Sequence, residues 1–205
     1  MGKAKNIVIL GAFLVVIAVV YYSFCSFQVD YQTAIQQERA EKDNYMRTDP
    51  ESPLPESLKA DFTGLSYYPI DENYKVKASL QKIERQELLT MATNDGKEEQ
   101  YIKYAYANFK IDGKEQKLLL LQPYQTDEDD YLFLAFGDGT SGGQTYGGGR
   151  YLDLEMTSKK HITLDFNLAY NPFCAYSDGY SCPLPPAENL LERPIRAGEK
   201  DFISP

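Results

Sequence analysis

Two aspartates and an arginine open the chemical reading of this chain. Asp153 and Asp165 occupy comparable positions in two alternating runs, "RYLDLEM" and "ITLDF". Carboxylates held about 5–10 Å apart can serve as acid and base in a hydrolase. Arg150, just before Asp153, would then bind an anionic group. The same residues also support a non-catalytic reading. Asp165, Asn167 and Asn171 form a polar ladder around Phe166, Leu168 and Tyr170. Strand alternation points Arg150 to the same side as Leu152, the dry face. A buried arginine must be paired, and Asp165 or Asp153 is the expected partner.

A second constellation is "YNPFCAYSDGYSCPLPP", residues 170–186, which holds Cys174 and Cys182. Three fates fit these cysteines. A disulfide suits an exported domain, and Asp178-Gly179 midway can turn the chain so that the sulfurs meet. Buried free thiols are the alternative. A zinc site needs further soft ligands, and the single histidine, His161, is the one that remains. No metal site and no cofactor are expected. One histidine without a nucleophile elbow gives no triad either, so His161 reads as a surface residue heading a strand.

The third feature is "GDGTSGGQTYGGGRY", residues 137–151. Gly137, Gly139 and Gly142 satisfy G-x-G-x-x-G, but a dinucleotide site needs a helix to start there, and here more glycines and a strand follow. The loop is either a wide connection or one whose backbone approaches a ligand, presenting Thr140, Thr145, Tyr146 and Arg150. Thr140, Tyr146, Arg150, Asp165, Asn167 and Asn171 are the candidate ligand-binding set.

These residues need a frame, and from Gly64 onward the period of the sequence is two. Tyr74, Val76, Ala78 and Leu80 alternate with polar residues, as do Leu152, Leu154 and Met156, and Ile162, Leu164 and Phe166. "EQYIKYAYANFKI" and "KEQKLLLLQPY" flank Asp112-Gly113, a hairpin turn signal, and "YLFLAF" reads as a buried strand. About eight strands without an intervening long helix predict a mainly β, antiparallel sandwich or open barrel. Upstream, Asp30–Met46 lacks glycine and proline and predicts a juxtamembrane helix. "RTDPESPLPES" breaks it, and a short helix over Glu56–Phe62 follows.

Residues 7–27 carry no charge, enough to cross about 30 Å of hydrocarbon, and Lys3 and Lys5 precede them. The positive-inside rule keeps those lysines in the cytoplasm and the rest of the chain outside it. The expectation is a single-pass anchor in the cytoplasmic membrane, with a cleaved signal peptide as the rival. Residues 1–28 form this anchor or signal, 29–62 the juxtamembrane helix and linker, and 63–205 the β-rich domain. The chain carries a net charge of −9, without a basic stripe, which argues against a nucleic-acid partner. The longest like-charge run, Asp127-Glu128-Asp129-Asp130, reads as a solvated loop.

Five blocks in order carry a resemblance: "SPLP", "FTGLSYYPIDENYKVKASL", "FGDGTSGGQTYGGGRYLDL", "LDFNLAYNPFCAYSDGYSCPLPPAENLL" and "IRAGEK". From about Arg39 to Phe202 the chain resembles the bacterial family catalogued as domain of unknown function 1684. The resemblance implies no reaction. It implies that residues 147–150, 165–167, 171–174, 182–186, Glu188, Asn189 and 198–200 belong to the family's signature. Two functions are therefore carried forward. The first is a membrane-tethered, periplasm-facing binding or structural module, contacting a polar small molecule or envelope component near the glycine loop. The second is a hydrolase using Asp153 and Asp165 with Arg150.

Overall fold

A computed structural model describes residues 16–17, 20–21, 30–124 and 131–203. The chain divides into two compact units, Met1–Glu41 and Lys42–Pro205. Residues 30–48 are helical, and in the first unit Gln37 donates to the Glu41 carboxylate one turn on. The expected membrane span falls largely outside the described residues. Among the described residues no helix is long and apolar enough to cross a membrane. The acidic run 127–130 also lies outside them.

In the second unit six antiparallel strands form one sheet: β1 (Lys75–Ala92), β2 (Glu98–Ile111), β3 (Lys114–Pro123), β4 (Tyr131–Phe136), β5 (Arg150–Glu155) and β6 (His161–Asp165). Their order is β5-β4-β3-β2-β1-β6, and the two edge strands approach each other, so the sheet curls into a nearly closed barrel. The β2–β3 hairpin turns at Asp112 and Gly113, both with positive φ (47° and 74°), the geometry that tight two-residue hairpins require.

The expectation of about eight strands resolves to six named strands among the described residues. Residues 75–92 form one long strand that absorbs a register shift between Lys82 and Glu87. Beyond Asp165 the chain forms short 3₁₀ turns at Phe166–Leu168, Phe173–Ala175 and Ala187–Asn189, with isolated bridges between. Prolines at 172, 183, 185 and 186 remove the N–H groups that a continuous ladder would need there.

Both faces of the central strands are dry, and alternation sorts their residues. Leu118, Leu120, Leu132, Leu134, Leu152 and Leu154 fill the inside with Phe109, Phe136 and Phe166. Leu119, Leu121, Phe133, Ala135, Tyr101 and Tyr151 form a second layer on the outside. That outer layer is possible because the segment after β6 wraps back over it. A third cluster of Met46, Leu54, Phe62 and Tyr176 joins the region before the barrel to the cysteine loop. The short helix in this region covers Glu56–Lys59.

Candidate functional site

Arg150 points into the barrel, as its alternation with Leu152 and Leu154 requires, and is fully enclosed. Its partner is Asp138 rather than Asp153 or Asp165. Nη2 donates to Asp138 Oδ2 at 2.9 Å and to the Ile195 carbonyl at 2.8 Å, while Nη1 donates to the carbonyls of Ala197 and Glu199. Asp138 Oδ1 accepts from the Thr140 amide and hydroxyl and from the Ile195 amide. The Thr140 and Thr145 hydroxyls are bonded to each other at 2.9 Å. Arg150 and Thr140 are thus brought into one network, which locks the glycine loop and the strap 195–199 over one end of the barrel.

The glycines serve that closure. At Gly139 a Cβ would come within 2.8 Å of the Glu192 carbonyl. At Gly149, where φ is +86°, it would meet the Phe136 carbonyl at 2.7 Å and the Pro185 ring at 2.6 Å. The loop's backbone therefore lies against this chain's own backbone. Tyr146 packs its ring on Gly148.

A second network surrounds Glu199, whose carboxylate is buried. It accepts from Lys42 Nζ at 3.0 Å, from the Asn171 amide and side chain, and from the Tyr176 hydroxyl. Asn171 also donates to the Lys200 carbonyl. Asp165 and Asn167 belong to a third set. Asp165 caps the turn after β6 by accepting from the Asn167 backbone and side chain, and Asn167 bridges to both backbone polar groups of Asp71. The ladder of Asp165, Asn167 and Asn171 is real in sequence, but its members point into two separate networks.

Asp153 faces outward and accepts from Tyr131 at 2.5 Å and Tyr170 at 2.7 Å. Asp153 and Asp165 lie on β5 and β6, which stand at opposite ends of the sheet order. His161 is exposed at the head of β6.

Cys174 and Cys182 form a disulfide, with Cα atoms 6.3 Å apart. The β1–β2 turn grips the far arm of this loop. The Cys182 amide donates to Asn94 Oδ1, Asn94 N donates to the Cys182 carbonyl, Leu184 N to the Ala92 carbonyl, and Ser181 to Asp95. The loop is thereby held above the outer layer of the sheet, and between them lies a cavity of about 290 Å³. Its walls are Tyr101, Phe133, Tyr151, Tyr170, Phe173 and Tyr180, with Pro172, Pro183, Cys182, Ser181 and Glu99.

The rings pack in sequence: Tyr101 stacks on Phe133, Phe133 meets Tyr151 edge to face at 4.8 Å, and Tyr151 meets Tyr170 edge to face at 5.9 Å. Phe173 and Tyr180 form their own edge-to-face pair. Three tyrosine hydroxyls already have acceptors: Glu99 for Tyr101, the Pro183 carbonyl for Tyr151, and Asp153 for Tyr170. Burial pushes all three phenols well above the ordinary range. The Glu99 and Asp153 carboxylates add to it at Tyr101, Asp153 at Tyr170, and Tyr101 and Glu99 at Tyr151.

Two other hollows are built differently. One of about 310 Å³ lies beside the glycine loop, and its polar residues Asp138 and Ser141 are hydrogen-bonded to each other's segment. A groove of about 890 Å³ carries Lys77, Lys110, Lys117 and His161. There Lys110 pairs with Glu115, and Lys117 sits 3.6 Å from the centroid of the Tyr106 ring. Among the described residues no cluster of three or more His, Cys, Asp or Glu could hold a metal ion.

Asp138 and Glu199, the two carboxylates that organise the polar networks, were not among the candidates, and neither was the aromatic cavity. Glu199 had one signal, its place in the "IRAGEK" block of the resemblance. Asn189, another signature residue, is buried and bonded to both backbone groups of Leu119 and to the Ala135 carbonyl, joining β3 and β4.

Fold and site together define a class: a mainly β, antiparallel, nearly closed barrel-like domain with an aromatic cavity beneath a disulfide-closed loop. Residues 60–200 match the family model described as "Protein of unknown function (DUF1684)", and the chain belongs to that family. It is similar to the solution NMR structure of the uncharacterized protein from gene locus rrnAC0354 of Haloarcula marismortui. The identity is 42%, with 85% of this chain and 96% of that chain covered and a TM-score of 0.67. The comparison with curated proteins gave no match.

Proposed function

We propose that the domain is a non-catalytic binding module whose ligand site is the aromatic cavity under the Cys174–Cys182 loop. The observation that carries this reading is the cavity's construction. Six rings from four separate parts of the chain converge on a space of about 290 Å³, with one carboxylate, Glu99, in the wall. A mostly apolar hollow with few polar groups is the usual form of a small-molecule site. The hydrolase reading receives less support. Asp165 is occupied as a turn cap, and Arg150 is enclosed by its own chain rather than offered to an anion.

The module is held at the cytoplasmic membrane through residues 7–27 and faces away from the cytoplasm. The uncharged stretch after Lys3 and Lys5 supports this placement. An alkaline phosphatase fused after Pro205 tests it, because an expressed but inactive reporter would overturn export.

A thermal-shift screen of small molecules tests the binding site. Ligands that raise the melting point should lose their effect in Phe173→Ala, a residue 38% exposed at the cavity wall. Stabilisation that persists in this variant would move the site elsewhere. Turnover of any hit, abolished by Asp153→Asn with folding intact, would restore the hydrolase.

A further inference from the structure

We infer that the aromatic cavity selects a small organic cation, an ammonium bearing alkyl groups. This rests on the cavity being the binding site and adds the chemical class of its occupant. Four observations carry it.

The wall is made of ring surface. A cation over an aromatic face is attracted by the ring quadrupole, and the attraction grows when water is displaced. Tyr101, Phe133 and Tyr151 are each less than a tenth exposed, so a ligand among them would be largely desolvated.

The hydroxyls are already engaged as donors. Tyr101 donates to Glu99 at 3.0 Å and Tyr170 to Asp153 at 2.7 Å. A phenol that donates to a carboxylate becomes more electron-rich in its ring, which strengthens the hold on a cation. Those hydroxyl protons are also withdrawn from any anionic ligand.

The charge in the wall has one sign. Glu99 lines the cavity, and Asp153 stands one hydrogen bond behind Tyr170. The wall contains neither Lys nor Arg. Among the described residues, no ion pair involves Glu99 or Asp153. An anion would meet carboxylate that has hydrogen bonds but no cationic partner among the described residues, and a neutral molecule would gain burial alone.

One ring of the set already carries an ammonium. Lys42 Nζ lies 4.4 Å from the Tyr170 centroid, with its charge matched by Glu199 at 3.0 Å. Lys42 is not part of the cavity wall and does not fill it, and its contact is an instance of an ammonium held by a ring of this set.

The test uses the full chain in an uncharged detergent and two probes of equal shape. One is choline. The other is its neutral isostere, an alcohol with a tert-butyl group in place of trimethylammonium. Calorimetric titration should show choline binding at least about tenfold more tightly than the isostere, at constant ionic strength. Glu99→Gln should weaken choline about threefold to tenfold and leave the isostere unchanged. Phe173→Leu should weaken both, without moving the melting point. Equal affinity for the two probes overturns the cation selectivity and leaves the cavity as the site. Choline binding that neither variant alters overturns the placement of the cation here. Absence of binding by both probes removes the cation inference, and if the thermal-shift screen of the parent protein also finds no ligand, the cavity itself falls.

Discussion

Arg150 and Asp138 form an ion pair at 2.9 Å in which neither side chain has any exposure. Twelve residues apart, they close the glycine loop on itself, and the three carbonyls of the 195–199 strap take the other Nη donors, leaving Nε without a partner. Replacing Arg150 with Met abandons Asp138 in the interior. A broken buried pair costs about 3–5 kcal/mol, which for a domain of this size lowers the melting point by about ten degrees. Thermal unfolding followed by circular dichroism checks this. A variant that melts within a degree or two of the parent would show that the pair contributes little.

Glu199→Gln should be milder. The amide keeps the size of the side chain, but Lys42 loses its counter-charge and Asn171 and Tyr176 lose a charged acceptor. Hydrogen bonds to charged groups contribute about 1.5–3 kcal/mol, and Lys42 is partly solvated, so a loss of about 2 kcal/mol is expected in urea unfolding. The denaturation midpoint should move with an unchanged slope.

Reduction of Cys174–Cys182 should loosen one wall of the cavity without unfolding the barrel. Closing so short a loop is worth about 2–3 kcal/mol in the chain-entropy account. Alkylation and intact mass should find the pair bridged in protein kept from reductant. The reduced protein should melt lower and bind cavity ligands more weakly, since Phe173 and Tyr180 lie on or next to the loop. Equal binding before and after reduction would detach the loop from the site.

High pH should expose the tyrosine layer. The hydrogen bond to Glu188, with burial behind it, pushes Tyr106 up to about 12, and burial pushes Tyr101, Tyr151 and Tyr170 upward too. These groups hold their protons more tightly folded than unfolded, where a phenol titrates near 10. Their contribution is therefore whole below about pH 10 and is lost as pH rises through the raised folded values. Tyrosinate absorbance should show one class ionising near pH 10 and a second ionising together with loss of structure. A single ionisation near 10 would contradict the buried layer.

Much of the frame was legible in the sequence, because it rests on local rules. Asp112-Gly113 announces a tight turn, and both residues have the required positive φ. The alternation of Arg150, Leu152 and Leu154 placed Arg150 inside. Its partner was not legible. Asp138 lies on a loop without period, and the bend that brings it back is set by contacts with the strap. The sequence offers Asp153 and Asp165 on strands, where pairing looks natural, but alternation puts both on the face opposite to Leu152 and Leu164, whereas Arg150 points inside with those leucines. The cavity was hidden for a similar reason. Tyr101, Phe133, Tyr151 and Tyr170 come from β2, β4, β5 and the segment after β6, and the register that aligns their rings exists only in the folded sheet.

The strap that satisfies Arg150 leaves the ribosome well after the strand that carries it. The last strand of the barrel ends at Asp165, and the carbonyls that the guanidinium requires follow about thirty residues later. At about 5–20 residues per second, synthesis needs roughly two to six seconds for that interval. During that time all six strands can be present while the guanidinium at one end of the core has Asp138 but none of its three carbonyl acceptors. Final closure of this end of the barrel therefore waits until the strap has been made.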